Sequence, residues 1–272
     1  MLPNNWHTYD HYGYAALAVV GTFLAVIAVH RIMQRPRWAG QMAAWQGVAP
    51  PFINIIGVLF GLTLAFLAND TWSAHDRAMN AVFKEADSLR SIAVLSEQLA
   101  KPLRDELRAT LAAYGRASAD EWPLLAARRA SPEVDRLADA LLTLLASKAV
   151  ASSAGDNVQA LMLRKAIEIR DERDLRIGLS QTHVNPLKWL GMAFLGFLTL
   201  LSVAVVHLDK PRAALLAVLL FAFAAAPTAA IVLVQGNPFQ HPTAVTPAPI
   251  SEAIADLASP PTAPRRDDHA AH

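Results

Sequence analysis

Two clusters of histidines and carboxylates are the strongest candidates for chemistry in this 272-residue sequence. In the first, His7 and His11 stand one helical turn apart with Asp10 between them. The second consists of Asp70, His75 and Asp76. Side chains of these types can share a metal ion when they lie on one helix face. Neither spacing matches a standard metal motif, so we predict no metal site at either cluster.

No motif of a known catalytic chemistry occurs in the sequence. HExxH, GxSxG, GxGxxG and the phosphate-binding loop are all missing, and so is cysteine, which rules out disulfides and thiolate nucleophiles. Glu121 and the acids of the stretch EIRDERDLR alternate with bases, which is typical of a solvated, salt-bridged helix face. We therefore expect no enzyme and no cofactor. The net charge of +1 gives no basis for nucleic-acid binding.

Four long apolar blocks dominate the sequence. They cover Tyr12–His30, Phe52–Ala68, Leu187–His207 and Ala213–Val234. Each is close to the roughly 20 residues that a helix needs to cross about 30 Å of hydrocarbon. Apolar residues make up 54% of the chain and charged residues only 17%. The sequence thus predicts an all-α integral membrane protein with four transmembrane helices.

The segment between the second and third blocks predicts a helical bundle outside the membrane. Apolar residues recur there at spacings of three and four, as in Val82, Ala86 and Leu89, and the triplet SPE at 131–133 is a strong helix start. No proline separates the second block from the charged sequence that follows it. We therefore expect one helix to continue from the second span into the bundle, and the last bundle helix to lead into the third span.

These patterns divide the chain into five parts. They are a first transmembrane helix with an interfacial segment (1–51), a second span (52–68), the bundle (69–186), the third and fourth spans (187–234) and a Pro-rich tail (235–272). The segment Trp38–Pro51 is either a short interfacial helix ending at its two prolines or a connecting loop. The high proline content of the tail (235–272) predicts that the tail is disordered.

Basic residues are concentrated in two short loops. Arg31, Arg35 and Arg37 follow the first block, and Lys210 and Arg212 lie between the third and fourth. With four spans, both loops fall on the same side of the membrane. The positive-inside rule then predicts that the N-terminus and the bundle lie on the outer side.

One face of the second block combines small and polar residues at helical spacing: Asn54, Val58, Gly61, Ala65 and Asn69. Gly57 and Gly61 also form a GxxxG pattern, which lets helices approach closely in lipid. Two interpretations stay open. The face is either a packed helix–helix seam or the lining of a pore in a homo-oligomer.

The opposite side of the second block and the residues that follow the block also show a pattern. The opposite side of the second block carries Phe60, Leu64 and Leu67, which suit lipid or neighbouring helices. Asp70 and Asp76 follow as polar residues at the membrane exit, and we expect Asn69 and Asp70 to face the ion path if the block lines a pore.

Several short motifs follow one another in a characteristic order, with marker positions at Glu85, Tyr114, Glu121, Trp122, Arg173, Arg176, Pro238 and Phe239. In this order they resemble the bestrophin-like family of four-span bacterial membrane proteins, long catalogued as a domain of unknown function. The similarity runs from about Phe52 to Ile254, and Gln240 departs from the small residue expected after the Pro-Phe pair.

The resemblance implies a function. Bestrophins are pentameric anion channels whose second span lines the pore, so it implies a homo-oligomeric ion channel in the bacterial plasma membrane, with the lipid bilayer, further copies and small ions as partners. It also implies a cytosolic bundle, opposite to the orientation that the loop charges predict. The alternative is a non-conducting scaffold or sensor whose bundle binds a partner in the cell envelope.

Overall fold

A computed structural model describes residues 6–35, 44, 49–181 and 186–258. These ranges contain ten α-helices and no strand. The helices are α1 Trp6–Met33, α2 Ala49–Leu95, α3 Lys101–Asp120, α4 Trp122–Ala126, α5 Pro132–Leu145, α6 Lys148–Ala154, α7 Asp156–Ser180, α8 Pro186–Val206, α9 Pro211–Val234 and α10 Ala248–Ala258. A 3-10 turn over Ser96–Gln98 follows α2.

Four helical segments are long and apolar enough to cross a membrane. They are His11–Met33, a stretch within Pro50–Gln98, Leu187–Val206 and Pro211–Val234. The protein is therefore an all-α, four-span membrane protein, as the apolar blocks predict. The second segment continues without a break into charged sequence, so the expectation of one long helix is confirmed by α2.

The chain forms two compact units. The first, here called the span unit, comprises Met1–His75 and Thr182–Thr243; the second, the bundle unit, comprises Asp76–Gln181 and Ala244–His272. The bundle unit thus begins later in α2 than the predicted boundary after Ala68. It also includes residues that follow the fourth span, from Ala244 onward.

Two apolar clusters hold the span unit together. In one, Val29 of α1, Ala204 of α8 and Val218 of α9 are buried against one another. In the other, the second span packs against α8 and α9, and its members are Leu67, Ala68, Met192, Ala229 and Val232. Packed residues of α8 and α9 thus lie between α1 and α2.

The core of the bundle unit follows the helical stripes in the sequence. Val82, Ala86 and Leu89 of α2 are fully buried, as are the core residues of the next two long helices, Leu107, Leu111, Tyr114, Val134, Leu141 and Leu145. On α7 the buried stripe begins with Met162, Ala166 and Ile169. These residues occupy one face of each helix, which confirms the predicted amphipathic pattern.

The prediction of a disordered tail was wrong for residues 248–258. They form α10, which packs on α3 through a close fit at Gly115, where an added Cβ would lie 2.6 Å from Ile254 Cγ1. Ile250 and Ala253 of α10 are fully buried. Pro249 lies in the first turn of this helix, where proline is tolerated, and the helix continues without a break to Ala258. Residues 259–272 lie outside the described part of the chain.

The predicted interfacial segment falls mostly outside the described residues. α2 begins at Ala49, so Pro50 and Pro51 start a helix and do not end one. Proline is favourable in a first turn because the missing N–H has no intrahelical acceptor there.

Candidate functional site

The predicted pore-lining or packing face of α2 is exposed in the described part of the chain. All five of its residues, Asn54, Val58, Gly61, Ala65 and Asn69, are exposed, and Val58 has 60% of its surface accessible. A Cβ added at Gly57 or Gly61 would meet no atom within 4 Å. The GxxxG pattern therefore forms no seam with another helix among the described residues.

The opposite face of α2 is the one that packs. Phe60 and Leu64 lie against the cluster that α2 shares with α8 and α9, and Leu67 is buried within it. The Phe60 ring lies so close to Gly196 that an added Cβ there would be 3.0 Å from Cε2. The second span thus has a packed face and an unpacked surface, and the unpacked surface carries the small and polar residues together with the exposed side chains of Leu59, Leu62 and Phe66.

At the end of the second span, polar side chains connect α2 to the segments around the third and fourth spans. Lys188 Nζ donates to Asp70 Oδ2 at 2.7 Å, and Trp72 Nε1 donates to Gln235 Oε1 at 2.9 Å. The sequence pattern did not identify these partners. Asn69 beside them is exposed, as is Asp76 in the bundle unit.

The two histidine–carboxylate clusters form no metal site in the described part of the chain. No group of three or more His, Asp or Glu side chains there could hold a metal ion. His11 is buried, and the side chain of His7 lies outside the described residues.

A buried ion pair lies at the centre of the bundle unit. Glu85 of α2 and Arg176 of α7 are both completely inaccessible, with 2.7 Å between Oε2 and Nη2. The other oxygen of Glu85 accepts hydrogen bonds from Tyr114 at 2.9 Å and Ser118 at 2.7 Å, both on α3. One carboxylate thus connects three helices that are distant in sequence.

A second buried pair lies one turn earlier on α7. Arg173 donates through Nε and Nη2 to the two oxygens of Glu121, at 3.1 and 2.8 Å. The backbone N–H of Ser131 donates to Glu121 as well, at 2.7 Å, and Arg173 also binds Asp135. This forked geometry is the strong form of an arginine–carboxylate contact. It fixes the turn before α5 against α7.

Trp122 lies beside both pairs and connects them to the C-terminal segment. Its ring stacks on the Arg176 guanidinium, 4.8 Å from the ring centroid, a cation–π geometry. Its Nε1 donates to the carbonyl of Val245 at 2.6 Å. Six of the eight motif residues thus form one buried cluster, namely Glu85, Tyr114, Glu121, Trp122, Arg173 and Arg176.

The cluster shifts the pKa values of two of its members. Burial raises the pKa of Tyr114 well above its ordinary value, and the adjacent Glu85 carboxylate raises it further. Burial lowers the pKa of Arg173, but the hydrogen bonds and negative charge of Glu121 and Asp135 outweigh burial and leave it raised. Both groups therefore keep their protons at neutral pH.

The interpretation of Glu121 and the acids of α7 as a solvated helix face was wrong for Glu121 and Glu172, which are buried, whereas Asp171 and Asp174 are exposed as expected. Glu121 and Arg173 are only 1% and 2% exposed, and Glu85 and Arg176 not at all. The periodicity of α7 carried the missed signal, because the buried positions Met162, Ala166 and Ile169 are followed at the same spacing by 173 and 176. Both oxygens of each carboxylate accept hydrogen bonds, so the arrangement favours structural positioning over acid–base chemistry.

The last two motif positions lie in the span unit. Pro238 and Phe239 are buried just after α9, and Phe239 N–H donates to Asn237 Oδ1 at 2.9 Å. This is an Asx-type turn, in which the asparagine side chain replaces a backbone acceptor. Gln240, the departure from the expected small residue, is also buried in this turn.

Comparisons with known proteins agree with the four-span helical fold. The model of the Bestrophin-like domain matches residues 16–250. A variant structure of a bacterial Bestrophin homolog from Klebsiella pneumoniae is similar with a TM-score of 0.62 and 14% identity, covering 89% of this chain and 97% of that one. Another variant of that homolog gives a TM-score of 0.64 at 14% identity, covering 91% and 95%. No curated protein matches the sequence.

Proposed function

The chain belongs to the Bestrophin-like family, and from this premise we propose that it forms a homo-oligomeric ion channel whose pore is lined by the second span. The observation that carries the proposal is the unpacked face of α2. A helix that packs Phe60, Leu64 and Leu67 against its own chain, and leaves a face of small and polar residues exposed, is suited to surround a shared axis with copies of itself.

The chemistry of this face suits a narrow pore. Gly61 and Ala65 have small side chains and leave room near the pore axis. Val58 lies between Asn54 and Gly61 on the same face, and in an oligomer the copies of Val58 would form an apolar ring. Such rings gate by dewetting, and the amides of Asn54 and Asn69 offer polar contacts on either side. No Lys, Arg, Asp or Glu occurs between 52 and 69, so nothing in this stretch would trap an ion by direct charge.

The oligomer number and the orientation are also part of the proposal. Analogy with bestrophins suggests a pentamer in a bacterial plasma membrane. The charges of the loops suggest that Arg31, Arg35, Lys210 and Arg212 face the cytoplasm. With four spans, the N-terminus and residues 76–181 then face the outside, opposite to the arrangement in bestrophins.

Planar-bilayer recording of the purified protein tests the proposal. We expect ionic currents from the wild type, and we expect Gly61→Phe to reduce conductance strongly because the ring would fill the pore. Gly21→Phe is the matched control, since Gly21 is an exposed glycine of another span with no atom near its Cβ position. Silent bilayers from folded, oligomeric protein would count against a channel.

A non-conducting scaffold is the alternative. The observation that favours it is a set of exposed apolar side chains on the bundle-unit part of α2, namely Met79, Phe83 and Val94. Such residues can serve a protein interface. If bilayers stay silent and cross-linking in cells captures one envelope protein in a fixed ratio, with no self-oligomer, the scaffold replaces the channel.

A further inference from the structure

The ends of three membrane helices meet at one end of the span unit. Val29 near the end of α1, Ala204 near the end of α8 and Val218 near the start of α9 belong to one buried cluster. The segment after Val29 and the turn between α8 and α9 therefore lie at the same end of the unit. This juxtaposition brings together two short stretches that are far apart in the sequence.

These stretches carry an excess of exposed positive charge. Arg31, Arg35, Lys210 and Arg212 are all exposed, and none of them forms an ion pair with another described residue. The two half-buried histidines His30 and His207 lie beside them. We call the four cationic residues the basic end.

Carboxylates are scarce there. Among the described residues of the span unit the acids are Asp10, Asp70 and Asp209. Asp10 lies in the first turns of α1, far from its last turn, and Asp70 pairs with Lys188. Only Asp209 lies at the basic end, so four cationic groups face a single described acid.

Both helices that carry the basic end continue into exposed apolar surface. Leu24 and Ile27 lie one to two turns before Arg31 on α1, and Leu216 and Leu220 lie one to two turns after Arg212 on α9. Cationic groups next to exposed aliphatic side chains match a molecule with an anionic head and hydrocarbon tails. A free anion would use only the first of these features.

We propose that the basic end binds the headgroup phosphates of anionic phospholipids. Arginine suits this role because its planar fork donates two hydrogen bonds to one phosphate. Each cationic side chain near a membrane surface favours anionic lipid by about fivefold. The binding does not depend on conduction and stands whether or not the protein is a channel.

Native mass spectrometry of the full chain in detergent tests this inference. The protein is incubated with equal amounts of phosphatidylglycerol and phosphatidylcholine, and the retained lipids are counted. We expect phosphatidylglycerol to be retained at least tenfold more than phosphatidylcholine, from about fivefold per cationic group. Replacing all four groups by Gln, as R31Q/R35Q/K210Q/R212Q, should bring the ratio close to one.

Matched controls separate charge position from total charge. K148Q/R164Q removes two exposed cationic groups of the bundle unit and should leave the ratio unchanged. R31K/R35K keeps the charge and should retain most of the preference. If the fourfold variant fails to fold, the salt dependence of lipid retention by the wild type tests the proposal instead. Raising NaCl from about 0.1 to about 1 M shortens the Debye length from about 10 to about 3 Å and should abolish the preference.

Three results would overturn the proposal. Equal retention of the two lipids by the wild type means that the surface does not select anionic lipid. An undiminished preference in the folded fourfold variant means that the lipid binds elsewhere. Displacement of phosphatidylglycerol by inorganic phosphate, beyond the effect of NaCl at equal ionic strength, means that the groups take a free anion.

Discussion

Glu85 of α2 and Arg176 of α7 form an ion pair in which neither side chain is accessible to solvent, and the tyrosine and serine that complete the carboxylate's hydrogen bonds come from α3. A charge buried in this way is stabilised only while its partner is present. The pair therefore makes the packing of three helices depend on one another, and its removal should affect the bundle unit as a whole.

Replacing Arg176 by Met should lower the free energy of unfolding by about 3–5 kcal/mol, because Glu85 would remain buried without its countercharge. The double variant E85L/R176M should recover part of this loss. Urea denaturation in detergent, followed by circular dichroism, measures both. R136A, which breaks the exposed pair with Glu133, is the control and should cost less than about 1 kcal/mol. Equal losses at the two sites would contradict a role for burial.

Replacing Gly115 by Ala should loosen α10. The new Cβ would lie 2.6 and 2.8 Å from two carbons of Ile254, so one of the helices must shift. Overpacking of this kind costs about 1–3 kcal/mol, against a gain of up to about 1 kcal/mol from helix propensity. Hydrogen exchange of residues 248–258 should become faster.

Two further variants give this prediction its controls. G115A/I254A removes both clashing carbons and should restore slow exchange. G178A introduces the same methyl group where no atom lies within 4 Å and should leave α10 protected. Slow exchange in G115A would show that α3 and α10 fit together without the glycine.

Tyr114 should make the protein sensitive to alkaline pH. In the unfolded chain a tyrosine ionises near about pH 10. The folded pKa is raised, so the folded state holds this proton more tightly. The resulting stability is complete below about pH 10 and is lost as the pH rises toward the folded pKa. Tm should fall more steeply above about pH 10 in the wild type than in Y114F. Parallel curves of Tm against pH would show that Tyr114 does not cause the alkaline sensitivity.

The loop charges predict the orientation. The sequence contains no cysteine, so single substitutions label cleanly. Ser152→Cys introduces a thiol at an exposed position of α6, and Lys210→Cys introduces one at the basic end. A membrane-impermeant maleimide should modify the first in intact spheroplasts and the second only after lysis. The reverse pattern would favour the bestrophin orientation.

Local patterns predicted the helices and spans, because helix periodicity and apolar length are properties of short stretches. The direction of a charged side chain is not local. Arg173 and Arg176 look like surface residues by type, and only their place on the α7 stripe of Met162, Ala166 and Ile169 indicates burial. Their partners come from distant parts of the chain, Glu85 from α2 and Glu121 from the junction of α3 and α4, and could not be paired with them from the sequence.

The C-terminal helix was missed for a related reason. Proline content dominated the interpretation of the tail, although Ile250, Ala253 and Ile254 recur at helical spacing. The exposure of the small and polar face of α2 also depends on tertiary packing. Its composition suggested either a seam or a pore, and the contacts of Phe60 and Leu67 leave that face available for another copy.

Cysteine accessibility during bilayer recording tests the central claim most directly. Ala65→Cys lies on the unpacked face of α2, and Leu64→Cys, its neighbour, lies on the packed one. A charged, water-soluble thiol reagent should change the current through the first variant at once and leave that of the second unaltered. If Leu64→Cys responds and Ala65→Cys does not, the unpacked face does not line the pore.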